Sequence, residues 1–109
     1  MIKVTVYKDN KDLYRGFHFI GHAEYDDIGE DVVCSGVSAL VITTINSLEM
    51  LTDAVFDMDS DAELGEVKVT FTKDLSHDAQ LLLKSLIIGV QGIADEYGTD
   101  YVRLLFEEV

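Results

Sequence analysis

His22 and Cys34 lie twelve positions apart in the stretch Gly21-His22-Ala23-Glu24-Tyr25-Asp26-Asp27-Ile28-Gly29-Glu30-Asp31-Val32-Val33-Cys34-Ser35-Gly36-Val37-Ser38. A thiol and an imidazole brought together can cleave a peptide: the sulfur attacks the carbonyl carbon and the imidazole moves the proton to the departing amine. Cys34 is the only cysteine, so no internal disulfide competes for it. A helix N-terminus and a nearby imidazolium each favour a thiolate, which predicts a lowered pKa for Cys34. A helix start also offers unpaired backbone N–H groups, and Ser35 and Gly36 are small enough to admit a substrate carbonyl there as an oxyanion site. Glycine inside a helix otherwise costs about 1 kcal/mol relative to alanine. On spacing alone, a lone cysteine on an apolar helix is more often an inert core residue than a nucleophile.

These side chains need elements to hold them. Ile2, Val4 and Val6 alternate with Lys3, Thr5 and Tyr7, a strand pattern. The turn chemistry of Asp9-Asn10-Lys11-Asp12 then leads into a second run, Leu13 to Ile20, which predicts an opening hairpin. Strand alternation puts His18, Ile20 and His22 on one face and Phe17 and Phe19 on the other, so His22 is expected to point away from the phenylalanines. From about Val32 to about Val55 the apolar positions Val33, Val37, Leu40, Val41, Thr44, Ile45, Leu48 and Leu51 recur at helical spacing, with Asp31 as N-cap candidate. Cys34 falls in the first turn. The connection 23–33, acidic and with one hinge-capable Gly29, is long enough to bring the helix start back to the strand end.

Asp57 to Glu66 reads as a polar, acidic connection, and Val67, Val69 and Phe71 as a third strand. Ser76 precedes a second helical run through Leu82, Leu83, Leu86, Ile87, Val90 and Ile93, with Asp78 suited to its first turn and Gly98 to its C-terminal cap. Tyr101 to Phe106 reads as the last strand. The expectation is one α+β domain over residues 1–109: two layers, a four-stranded mixed or antiparallel sheet, and two helices on one face. Ile42, Met50 and Val55 fall outside the core-facing row of the first helix, which leaves two readings: self-association through that helix, or a helix sunk deep in its own domain.

Composition narrows the functions. With 109 residues, 48% of them apolar, and no proline, the chain reads as one folded domain rather than a disordered one. Its 21 acidic residues against 8 basic ones give a net charge of −13, which disfavours direct nucleic-acid binding and suits a basic protein or peptide as partner. No apolar run approaches the roughly 20 residues that span a bilayer, and the start reads as a strand rather than a signal peptide. A cytoplasmic protein with a free thiol is the expectation.

The motifs Gly21-His22-Ala23, Gly29-Glu30-Asp31-Val32-Val33-Cys34 and Val37-Ser38 resemble the signature of the ribosomal-processing cysteine protease family, Prp. The likeness extends to length, acidity and the order of elements, and so covers essentially the whole chain. It implies an endopeptidase with a His22–Cys34 dyad. Its substrate would be the N-terminal extension of a bacterial large-subunit ribosomal protein, number twenty-seven, whose removal supports ribosome maturation. It also implies a homodimer, a mobile segment between His22 and Cys34, and supporting positions at Asp31 and Ser38. Asp31 would cap the helix or position the site; Ser38 would support the first turn. Many relatives carry two alanines where this chain has Ser35-Gly36, and a small polar residue where it has Ile20, which bears on substrate preference more than on chemistry. The family's substrates are apolar and aromatic near the cut and continue into a basic protein, which suits an acidic enzyme.

Other constellations are weaker. Asp57-x-Asp59-x-Asp61 opens like a calcium loop but has Ala62 and Lys68 where glycine and glutamate belong. Ser76-His77-Asp78 adjoin in sequence, whereas triad members converge in space, so they read as a helix cap. His18, His22 and Cys34 lack a fourth zinc ligand, and neither metal nor cofactor is expected. The alternative function is a non-catalytic, acidic ribosome-assembly or interaction module that binds a basic ribosomal protein.

Overall fold

The computed structural model describes residues 1–26 and 31–109. The opening hairpin is β1 (Ile2–Lys8) and β2 (Tyr14–Ile20), antiparallel with Val4 opposite Phe19 and Val6 opposite Phe17. Asp9 builds its turn by accepting from the N–H groups of Lys11 at 2.8 Å and Leu13 at 3.1 Å, as an Asx turn does. Helix α1 follows at Val32–Leu51, then β3 (Phe56–Asp61), β4 (Glu66–Phe71), α2 (His77–Tyr97) and β5 (Val102–Glu108).

Among the described residues the sheet has five strands in the order β3-β4-β2-β1-β5, with the β1/β5 pair parallel and the other pairs antiparallel. The expected four-stranded sheet is thus corrected to a five-stranded mixed one. The added strand, β3, lies within the segment read as an acidic connection. Its three aspartates are poor strand formers, but they occupy the outer positions of an edge strand, where charge also discourages pairing with other chains. Phe56, on the inner side, stands opposite Phe71 with ring centroids 6.2 Å apart.

Ile2, Val4, Val6, Phe17, Phe19, Val69, Phe71 and Val102 form the inner sheet face and belong to one apolar cluster with the buried stripes of both helices. Those stripes are Val33, Val37, Val41, Ile45 and Leu48 on α1, and Ala79, Leu83, Leu86, Val90 and Ala94 on α2. On the other face Lys3, Lys68, Thr70 and Arg103 are exposed. Two layers result, as expected. Ser76 caps α2 by accepting from Ala79 N–H, and the Gly98 N–H closes its far end on Ala94.

α1 ends at Leu51, four residues short of Val55, where the Thr52 hydroxyl donates to the Leu48 carbonyl at 2.6 Å. By length and composition α1 could cross a membrane, contrary to the reading that no run approaches that length; interspersed Ser, Thr, Gly and Asn conceal a segment whose only charge is Glu49. In this fold one side of it is core. Its other side is open, with Ile42 58% and Met50 81% exposed, so the domain does not bury the helix on all sides; Leu51, expected in the core-facing row, is the last residue of the helix and is 71% exposed instead.

Candidate active site

The site lies where three pieces meet. The end of β2 supplies Phe19, Gly21 and His22; the first turns of α1 supply Cys34, Val37, Ser38, Val41 and Ile42; and the β3–β4 hairpin supplies Ser60, Asp61, Ala62, Gly65, Glu66 and Val67. With Ile2 they line one cavity of about 420 Å³. Its walls are largely apolar, with the imidazole and thiol both among them.

Strand alternation does not survive to His22. Gly21 has φ +105, and a Cβ there would run into the Met1 carbonyl, so glycine is needed at this position. The resulting twist brings His22 to the cavity that Phe19 also lines, correcting the expectation that the two point apart. The Gly21 N–H donates to Leu64 O at 3.0 Å, and His22 Nε2 lies 3.1 Å from Glu63 O. The hairpin turn therefore grips both the backbone and the ring.

Asp31 is the N-cap of α1 and is 6% exposed. Its Oδ1 accepts from Val33 N–H and Cys34 N–H, each at 3.0 Å, and its Oδ2 accepts from Tyr25 N–H at 3.0 Å. Burial pushes its carboxyl up, but the N–H groups of Cys34, Tyr25 and Val33 outweigh it and hold the pKa below the usual value. One carboxylate thus starts the helix and ties the chain after His22 to it. Tyr25 is also packed edge-on against Tyr97 and Tyr101, with centroids 5.3 and 5.1 Å away.

Cys34 is half-buried, and its sulfur accepts from Ala23 N–H at 3.2 Å. Its pKa is raised, against expectation. Burial is the largest cause, the neighbouring Asp31 carboxylate adds to it, and the Ala23 and Glu24 N–H groups oppose it. The helix start that was expected to ionise the thiol is occupied by a negative charge. For the same reason the expected oxyanion site at Ser35 and Gly36 is not open: Asp31 takes the Val33 and Cys34 N–H groups, and Ser35 N–H donates to Asp31 O at 3.0 Å. Gly36 instead faces α2, where a Cβ would lie 3.3 Å from Ile93 Cδ1. Ser35 is exposed outside the cavity, Ser38 is exposed on its wall, and Gly29 falls outside the described residues.

β3 and the turn of the β3–β4 hairpin stand where residue types suggest only a polar connection. Asp61 Oδ1 accepts from Glu63 N–H at 3.0 Å and Leu64 N–H at 3.2 Å, and Gly65 takes the left-handed conformation with φ +59. Asp57-x-Asp59-x-Asp61 is a strand running into this turn. Gly65 and an aspartate four residues before it were the available turn signal. His18 belongs elsewhere, on the outer sheet face, where Nε2 pairs with Glu66 at 2.7 Å. Among the described residues no three His, Cys, Asp or Glu side chains converge as metal ligands.

A family model described as "Cysteine protease Prp" matches residues 1–103. The chain belongs to the Prp cysteine protease family. A ribosomal processing cysteine protease Prp of Staphylococcus aureus strain Mu50 is 30% identical to this Prp-family chain over 87 residues, 80% of this chain and 81% of the relative. The Prp of Bacillus subtilis strain 168 is 28% identical over 101 residues, 89% of this chain and 90% of the relative. In solved structures, S. aureus Prp with a covalently linked product peptide superposes with a TM-score of 0.92 at 27% identity, covering 98% of this chain and all of the other. The same protease with a substrate peptide gives 0.86 at 26% identity, with the same coverage.

Proposed function

We propose that this Prp-family chain is a cysteine endopeptidase that removes the N-terminal extension of a bacterial large-subunit ribosomal protein, number twenty-seven, with Cys34 as nucleophile and His22 as its base and acid. The observation that carries the reading is the shared cavity: imidazole and thiol line one apolar cleft in a chain whose relatives hold peptides. An apolar cleft fits apolar and aromatic side chains near a cut, and the charge of −13 attracts the basic body of a ribosomal protein.

The raised thiol pKa shapes the mechanism. Burial and the Asp31 carboxylate favour the neutral thiol of Cys34, which fits a reaction that starts by general-base catalysis rather than from a standing ion pair. His22 takes the S–H proton as the sulfur bonds to the scissile carbonyl carbon. The C–N bond then breaks, and the imidazolium returns that proton to the departing amine. Water, deprotonated by His22, hydrolyses the thioester to a carboxylic acid and restores the thiol. The Ala23 N–H at 3.2 Å stabilises negative charge on sulfur during attack. A neutral resting thiol also suits a cytoplasmic protease that must not cut or oxidise at random.

The exposed Ile42 and Met50 on the outer side of α1 mark the surface through which we propose a homodimer. The functional test is mass measurement of the extended ribosomal protein after incubation: cleavage by wild type and none by Cys34→Ala or His22→Ala is the expected result. Cleavage that survives Cys34→Ala refutes the assignment.

A further inference from the structure

Within the catalytic reading above, on which this inference rests, something must decide which ring nitrogen of His22 is the base. The Glu63 carbonyl that lies 3.1 Å from Nε2 can only accept a hydrogen bond, so the ring proton resides on Nε2. Nδ1 is left with its lone pair. A base held by a third group is the usual need of a nucleophile–base pair; in this chain a main-chain oxygen fills that place.

A carbonyl in an exposed turn aims well only if the turn is rigid. Asp61 makes it so by accepting from the N–H groups of Glu63 at 3.0 Å and Leu64 at 3.2 Å, the two residues whose carbonyls reach across to the His22 ring and the Gly21 N–H. Gly65 completes the turn at φ +59, with its N–H 3.3 Å from Ala62 O. It also gives the ring room, since a Cβ on Gly65 would lie 2.5 Å from Gly21 O and 3.1 Å from His22 Cε1.

We propose that Asp61 is a positioning residue for the reaction: its carboxylate fixes the β3–β4 turn so that the Glu63 carbonyl holds the Nε2 proton of His22 and leaves Nδ1 as the nitrogen that accepts the Cys34 proton. The side chain of Asp61 acts through the turn and takes no proton itself. Asparagine can still accept both N–H groups through Oδ1, whereas alanine cannot.

The test joins 15N NMR of the imidazole in the free enzyme to cleavage kinetics for wild type, Asp61→Ala and Asp61→Asn. Wild type is expected to show one tautomer, protonated on Nε2. In Asp61→Ala the two ring nitrogens give shifts averaged toward each other and kcat falls about tenfold with KM nearly unchanged; Asp61→Asn restores both readouts. A wild-type ring protonated on Nδ1 overturns the proposal, and so does an Asp61→Ala enzyme with unaltered ring shifts and kcat. The wild-type spectrum decides the hydrogen bond even if Asp61→Ala does not fold. His22→Ala supplies the separation from the parent reading: if that variant cleaves as fast as wild type, the catalytic dyad fails, while the 15N shifts still report which nitrogen the turn holds.

Discussion

Replacing Asp31 separates two jobs that one carboxylate performs. In Asp31→Ala the helix start loses its cap, worth about 0.5–2 kcal/mol, and the Val33 N–H, buried and paired with Asp31 at 3.0 Å, is left without an acceptor at a cost of about 1–3 kcal/mol. Because both terms describe partly the same bonds, a combined loss of about 3 kcal/mol is expected, which lowers Tm by roughly 10–20 °C for a domain of this size. Asp31→Asn keeps Oδ1 for the helix and loses the acceptor for Tyr25, so about 1–2 kcal/mol is expected. Both variants remove the charge that helps to raise the Cys34 pKa. Burial remains as the larger cause, so the shift shrinks without vanishing. Alkylation of Cys34 by iodoacetamide at pH 7.5 is therefore expected to be faster in Asp31→Asn than in wild type, although the variant is less stable. The pH dependence has a definite sign. The folded pKa of Asp31 lies below its ordinary value, so its ionised cap stabilises fully above about pH 4 and is lost as the pH falls through the folded pKa. The stability gap between wild type and Asp31→Asn in urea titrations should close in acid. Thiol reactivity that is unchanged or lower in Asp31→Asn, or a loss below about 0.5 kcal/mol in Asp31→Ala, refutes this account of the carboxylate.

Tyr25→Ala removes two edge-on ring contacts, each worth about 0.5–1.5 kcal/mol beyond area burial; denaturant titration should show a loss of about 1–3 kcal/mol, and hydrogen exchange should show faster exchange of the Ala23 amide. Met50→Glu places a charge on the open side of α1, where Met50 is 81% exposed, so sedimentation should show a shift from dimer to monomer with little change in folded-monomer secondary structure. A wild type that sediments as a monomer at high concentration removes the proposed dimer.

Four strands and both helices were legible because their apolar positions keep a clean period. β3 was not, since Asp57, Asp59 and Asp61 put charge where strand composition is usually read, and the pairing with β4 that fixes it is a tertiary event. The site shows the same division. His22, Cys34 and the capping role of Asp31 could be named from residue type and position. The face of His22 could not, because Gly21 at φ +105 breaks the alternation on which the reading relied. The thiol pKa departs from the expected direction for a related reason: the cap that marks a helix start also brings a carboxylate beside Cys34 and occupies the N–H groups that would otherwise favour its thiolate. The Glu63 carbonyl is invisible to residue-type reasoning, since any residue carries one.

The most direct measurement of the central claim is intact-mass analysis of the extended ribosomal protein after incubation with wild-type enzyme, Cys34→Ala and His22→Ala. The account expects wild type to yield two fragments whose masses sum to the substrate plus one water, and both variants to leave the substrate whole. Equal cleavage by Cys34→Ala, or tight binding of the ribosomal protein with no cleavage by wild type, contradicts it, and the second result points to the non-catalytic assembly module.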